Sequence, residues 1–224
     1  MSAARPRTVL LVGATGLVGG FALRRLLDEP TWGSVVVLAR RPTGVTHPKL
    51  VEHITELAAV DEKRELARCD DLLIALGTTI KQAGSQAAFE RVDHDLVLTV
   101  ARAARAQGAT RCALVSSVGA DAGSFNFYLR TKGRTEDDVD ALGWGSSTLL
   151  RPSVLVGERK EQRTGEAIGM ALGSALSGLL LGPTRKYRPI DADVVAAAAV
   201  AALRRGEPGR RVCLHPDLIA LARA

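Results

Sequence analysis

The chain has 224 residues, of which 46% are apolar and 24% charged; these are the proportions of a folded globular domain with room for a sizeable core, and they exclude wholesale disorder. Lys and Arg number 30 against 24 Asp and Glu, a net charge of +6 that is spread along the chain without a run of like charges. Such a surface favours a small anionic ligand and argues against nucleic acid, which needs a clustered basic patch.

The three cysteines, Cys69, Cys112 and Cys213, lie far apart without CxxC or Cys/His metal spacing and read as buried reduced thiols. The histidines (His47, His53, His94 and His215) form no metal pattern, so no metal is expected, and His94 reads as a surface or capping residue. Met1 to Arg7 carries no signal-peptide pattern. The longest apolar run, Ala167 to Leu181, is interrupted by glycine and serine and is short for a membrane span, so it reads as a buried or lid-like helix. A cytoplasmic location without a membrane partner is the expectation.

Taken in order, Thr8 to Val12 is a continuous apolar run, the pattern of a strand buried on both faces. A glycine-rich loop follows, then a helical stretch from Phe21 to Leu27 that ends at Pro30. Ser34 to Ala39, Leu72 to Leu76 and Cys112 to Ser116 repeat the buried-strand pattern, with Val51 to Ile54 a further candidate. Between them, Phe89 to Gln107 has helical periodicity until Gly108 stops it. Alternating helices and strongly hydrophobic strands predict an α/β fold, a Rossmann-type doubly wound parallel sheet. Ser147 to Gly157 reads as one more strand leaving the sheet. Residues 152–190 are expected to form a small cap on the substrate side, and Val194 to Arg204 a helix returning to the sheet, all within a single domain.

Gly13, Gly16 and Gly19 form a GxxGxxG pattern between the first strand and its helix, with Thr15, Leu17 and Val18 between them. In that setting the first glycine permits the turn, the second admits a pyrophosphate to the backbone and the third lets helix and strand pack closely. The helix amino terminus supplies N–H groups and positive dipole to the phosphates. A tight turn kept for backbone reasons is the alternative. The second strand ends in Arg40-Arg41 with no acid; guanidinium forks suit a ribose 2′-phosphate, which favours NADP(H) over NAD(H), against the reading of two solvated surface arginines.

Tyr128, one of two tyrosines, precedes Lys132 by four residues, so a helix would put both on one face. An ammonium there favours the phenolate of a tyrosine used in acid–base work. Upstream, Ser116-Ser117 ends a strand at the carboxyl edge of the sheet, where a hydroxyl can hydrogen-bond a substrate carbonyl.

These features together resemble the short-chain dehydrogenase/reductase superfamily, from Thr8 to about Pro152 and more loosely to the end. The GATGLVG loop is similar to that of the extended and atypical branches. The segments LGTTIKQAGS, FERVDHDLVL, LVSSVGAD, NFYLRTKGRTE and LLRPSVLVGER resemble most the Tat-interacting-protein oxidoreductase group and its bacterial NAD(P)-binding relatives. The resemblance implies Tyr128 as general acid–base, Lys132 holding the nicotinamide ribose and lowering the tyrosine pKa, and a serine orienting the carbonyl, Ser117 first and Ser116 in reserve. It also implies that Gly77, Thr78 and Thr79 lie against the cofactor and that Pro152 and Ser153 lie beside the nicotinamide. Asp93 stands where many superfamily members have an asparagine, a departure from their proton relay.

The expected function is NADP(H)-dependent hydride transfer to or from a small carbonyl or alcohol, by a monomer or homodimer. An NADP(H)-binding sensor without turnover and a nucleotide-sugar epimerase or dehydratase-like enzyme are the alternatives.

Overall fold

The structure, a computed structural model, describes residues 6–157 and 182–224. The run from Ala167 to Leu181 and most of the expected cap lie outside these residues. Strands β1 (Arg7–Val12), β2 (Trp32–Ala39), β3 (Leu50–Ile54), β4 (Asp71–Ile74), β5 (Arg111–Val115), β6 (Ser146–Leu150) and β9 (Gly209–Cys213) form one sheet in the order β3-β2-β1-β4-β5-β6-β9. Every neighbouring pair is parallel. A second, two-stranded sheet pairs β7 (Leu155–Val156) with β8 (Ile190–Asp191). The helices are α1 (Leu17–Asp28), α2 (Ile80–Ala83), α3 (Gln86–Glu90), α4 (Leu96–Ala106), α5 (Phe127–Asp140), α6 (Ala192–Arg205) and α7 (His215–Ala222).

The apolar runs form central strands because both sheet faces are covered. Val9 and Leu11 of β1, Val35 and Val37 of β2 and Leu73 of β4 pack on one side with α1, α6 and α7. Leu10, Val12, Val36, Leu38, Leu72 and Ile74 face the other side, against α4, Val139 and Trp144. Each such fully buried side chain contributes about 1.5–3 kcal/mol relative to exposure. All three cysteines are buried and free, as read from their spacing.

Two expectations change, and the chain after α6 adds elements that were not anticipated. The helix read from Phe89 to Gln107 is interrupted: α3 runs into a π-helical turn, Arg91–Asp95, before α4 begins. Apolar spacing alone does not register that extra residue in the turn. The strand read to Leu76 ends at Ile74, because the chain then passes under the glycine loop that follows β1. The segment after α6 returns as the edge strand β9 and then α7. The sequence of β9, GRRVC, is mostly exposed, so it lacks the apolar run that marks the inner strands.

At the amino ends of the strands a carboxylate is wholly buried. Asp71 Oδ2 accepts from Trp32 Nε1 at 2.6 Å, and the guanidinium groups of Arg7 and Arg111 stand 3.3–3.4 Å from its two oxygens. Burial pushes its pKa up to about 6, while the Trp32 indole N–H and the Arg7 charge pull it back.

Candidate functional site

The carboxyl ends of β1 and β4 meet where the strand order reverses, the position at which doubly wound sheets open a crevice. Gly13 follows β1 with φ +87°, and a Cβ on it would stand 2.4 Å from the Ala75 carbonyl oxygen just beyond β4. A Cβ on Gly19 would stand 2.0 Å from the Gly13 oxygen, and one on Gly16 would stand 3.2 Å from the same atom. Glycine at 13 therefore lets two loops touch, and glycine at 19 lets α1 pack on the turn it springs from. Gly16 caps α1 with its backbone; no side chain caps the first turn and no acid lies in it. Among the described residues no side chain thus competes with an anion for these N–H groups. Thr15 and Gly16 are exposed, Leu17 half-buried and Val18 buried.

Arg40 and Arg41 follow the last residue of β2, and both are exposed. Neither has an ion-pair or hydrogen-bond partner among the described residues. The open helix terminus, the glycine cradle that a Cβ would fill and two uncommitted guanidinium groups fit a phosphorylated dinucleotide.

The second half of the site comes from α5. Asn126 starts this helix, its side-chain oxygen accepting from Leu129 N–H at 3.1 Å. Tyr128 and Lys132 both lie on it, one turn apart. The Tyr128 ring is half-buried and stacks obliquely on the buried Phe89, with centroids 5.4 Å apart. Lys132 is only 7% exposed, and its Nζ lies 2.6 Å from Asp93 Oδ1. Asp93 Oδ2 accepts from the Thr78 N–H at 2.8 Å, and the Asp93 main-chain carbonyl accepts from Thr135 Oγ1 at 2.9 Å. Burial pushes the Asp93 carboxyl above the ordinary aspartate range; the Lys132 ammonium and the Thr78 N–H oppose that shift.

Gly77 lies directly over this pair, since a Cβ there would stand 3.3 Å from Asp93 Oδ1 and 3.7 Å from Lys132 Nζ. Thr79 caps α2, accepting from Gln82 N–H at 3.1 Å. Ser116 is buried and its hydroxyl has no partner among the described residues. Ser117 is half-buried, and its hydroxyl makes only a 3.4 Å contact to the Val118 carbonyl. Pro152 touches this loop, its carbonyl accepting from Val118 N–H at 2.8 Å. Ser153 turns away, donating its hydroxyl to the Arg188 carbonyl.

The structure thus brings Gly77, Thr78 and Lys132 together around Asp93. It shows no hydrogen bond between Tyr128 and either serine among the described residues. His94 is not the surface or capping residue read from the sequence. It is 8% exposed and bridges two carboxylates, with Nδ1 2.8 Å from Asp95 and Nε2 2.7 Å from Asp138 of α5. The partner lies 44 positions away, beyond the reach of local pattern. The Asp93–Lys132 pairing was likewise unread, although a lysine on the inward face of a helix calls for a buried carboxylate.

A family model described as NAD(P)H-binding matches residues 13–205. The protein FMP52, mitochondrial, of Candida albicans is 34% identical over 213 residues, covering 90% of each chain. The corresponding protein of Aspergillus fumigatus is 37% identical over 205 residues, covering 87% of this chain and 86% of its own. Among solved structures, MoeE5 in complex with UDP-glucose and NAD superposes with a TM-score of 0.68 at 16% identity, over 96% of this chain and 80% of its own. The UDP-glucose 4-epimerase of Thermotoga maritima gives the same TM-score and identity, over 96% and 81%. These structures share the fold.

The expectation of a cytoplasmic location is overturned by the relatives, which carry mitochondrial names. It rested on reduced thiols, on a Met1–Arg7 stretch without a signal-peptide pattern and on the lack of a membrane span, and none of these separates the cytoplasm from another reducing compartment. Among the described residues no helix is long and apolar enough to cross a membrane.

Proposed function

The chain belongs to the NAD(P)H-binding family, and from that premise we propose that it is an NADP(H)-dependent oxidoreductase acting on a small carbonyl or alcohol. The observation that carries this reading is the pairing of an uncapped, acid-free helix terminus with two unpartnered arginines at the end of the neighbouring strand. The backbone of residues 13–19 would hold the diphosphate, and Arg40 and Arg41 the 2′-phosphate. Gly77 to Thr79 and Pro152 would flank the bound dinucleotide, and Lys132 would hold its nicotinamide ribose. Ser153, whose hydroxyl is committed to Arg188, would contribute backbone only. When bound, the reduced nicotinamide supplies a hydride to a carbonyl carbon, or the oxidised form takes one from an alcohol. The chain's own residues would manage the oxygen: the Ser117 hydroxyl donates a hydrogen bond to it, and Tyr128 passes it a proton during reduction or removes one during oxidation. Ser116, lacking exposure, stands behind Ser117. The motifs similar to the Tat-interacting-protein oxidoreductase group support this assignment of roles.

Titration calorimetry with NADPH and NADH tests the cofactor, and turnover of a carbonyl panel with NADPH tests the chemistry. We expect NADPH to bind the more tightly, and Tyr128→Phe to lose at least about a hundredfold in turnover, the lower end of the usual acid–base contribution. Absence of heat with both nucleotides would end the cofactor reading; equal turnover in the variant would end the catalytic one.

The likeness to MoeE5 and to the UDP-glucose 4-epimerase favours a second reading, catalysis on a nucleotide sugar. It requires tightly retained NAD and binding of UDP-glucose, and both are measurable on the purified protein. The relatives' names support a mitochondrial site of action, testable by fractionation.

A further inference from the structure

Ser117 and Tyr128, the two groups assigned to the reacting oxygen, flank one loop, and that loop is fixed to the helix it enters. It leaves β5 through Ser116-Ser117 and reaches α5 at Asn126. A Cβ on Gly133 of α5 would overlap the Ala122 nitrogen and the Asp121 carbonyl carbon, so glycine there lets the loop lie directly on the helix. Asp121 N–H donates to the Leu129 carbonyl at 3.1 Å, and Arg130 Nη1 donates to the carbonyls of Ser124 and Phe125 at 2.8 and 3.1 Å. Asp121 Oδ1 in turn accepts from Gly123 N–H at 2.9 Å. The backbone of Phe125 is therefore held in place relative to Tyr128, yet its ring is fully exposed.

Phe125 is not alone on this side of the sheet. Val154 and Val156, in the chain that leaves β6, and Tyr187 are exposed as well. The segments that carry them are tied to the Ser117 loop and to each other. Val118 N–H donates to the Pro152 carbonyl at 2.8 Å, Ile190 N–H to the Val154 carbonyl at 3.0 Å, and Ser153 Oγ to the Arg188 carbonyl. The other exposed large apolar side chains among the described residues lie on β3 and β9, the two edge strands. Apolar side chains scattered singly over a surface need no explanation, whereas a group of them beside a polar reacting centre marks a wall that an apolar ligand covers. We propose that Phe125 is a specificity-determining residue: its ring is the apolar wall of the substrate site, and the carbonyl compound or alcohol taken there has an alkyl or aryl body. This rests on the oxidoreductase reading above and names its substrate class. A nucleotide sugar presents hydroxyl and phosphate groups that need hydrogen-bonding partners, and Phe125, Val154 and Val156 have no polar side-chain atom to offer them.

The test is reduction of linear aldehydes, from propanal to heptanal, by the full chain with NADPH. In the native protein kcat/KM is expected to rise about twofold to fourfold per methylene, the range from partial to full burial of a CH₂ group. Phe125→Ser is expected to lower the heptanal-to-propanal ratio about tenfold, and Phe125→Leu, which restores an apolar side chain, to recover most of it. A change in the ratio separates a substrate wall from a loop that is merely disturbed, which would lower both aldehydes alike. Calorimetry of heptanamide on the NADPH-saturated protein reads the same wall without turnover, and Phe125→Ser is expected to weaken that binding about tenfold. A flat series in the native protein, or an unchanged ratio in Phe125→Ser, would overturn the proposal and leave the oxidoreductase reading intact. A dimer of the native protein that Phe125→Ser converts to monomer would overturn it too, because the ring would then serve contact with a second copy of the chain. Turnover of none of the aldehydes together with no binding of the amide would overturn both.

Discussion

Gly13 shows how a single missing carbon shapes the site. Its φ of +87° lies in the left-handed region, and a Cβ would overlap the Ala75 carbonyl. Gly13→Ala combines backbone strain with displacement of a neighbouring loop, so a loss of about 2–4 kcal/mol is expected, read as a lower urea midpoint at unchanged slope. NADPH binding should fall with it. Arg40 and Arg41 make the opposite prediction, because no described residue leans on them. Arg40→Ala together with Arg41→Ala should leave the melting temperature within about a degree, consistent with the small effects of surface substitutions. The same variant should lose about 1.5–3 kcal/mol of affinity for NADPH, roughly 10- to 150-fold, and nothing for NADH. Equal losses for both nucleotides would show that the arginines do not read the 2′-phosphate.

Helix α5 carries Tyr128 and Lys132, and its start is set by the Asn126 side chain. Removing that cap in Asn126→Ala should cost about 1 kcal/mol, a fall of about 2–4 °C in melting temperature for a chain of this size. Elements of this kind were legible to different degrees. The inner strands could be read from TVLLV, SVVVLA and CALVS because burial on both faces removes polar alternation. The loop GATGLVG was legible because its glycines obey a local geometric demand, and Tyr128 with Lys132 because helical spacing is local too. Edge strand β9 was not, since one exposed side lets it carry arginines. His94 and Asp93 were not legible either: their partners, Asp138 and Lys132, lie on another helix. Charge pairing across helices leaves no period in the sequence, whereas the need for it does leave a trace in every inward-facing lysine.

Across the whole molecule the sheet separates two polar clusters, the site at the carboxyl ends of the strands and Asp71 at the amino ends. The folded pKa of Asp71, about 6, lies above its ordinary value of 3.8. The native state therefore prefers the protonated acid. Its stabilising contribution is complete below the unfolded pKa and is lost as pH rises through the folded one. A shift of that size corresponds to about 3 kcal/mol between pH 4 and pH 7. Unfolding free energies across that window should decline more steeply for the native protein than for Asp71→Asn; parallel slopes would refute the assignment. The contact of Gly13 with Ala75 carries a different consequence. The proposed nucleotide cradle is completed only when β4 docks beside β1, so a fragment comprising β1, α1 and β2 alone would hold the glycine signature yet no formed receptor. Cleavage in the stretch between β3 and β4, with both pieces kept together, should preserve ligand capture, whereas separating the pieces should abolish it.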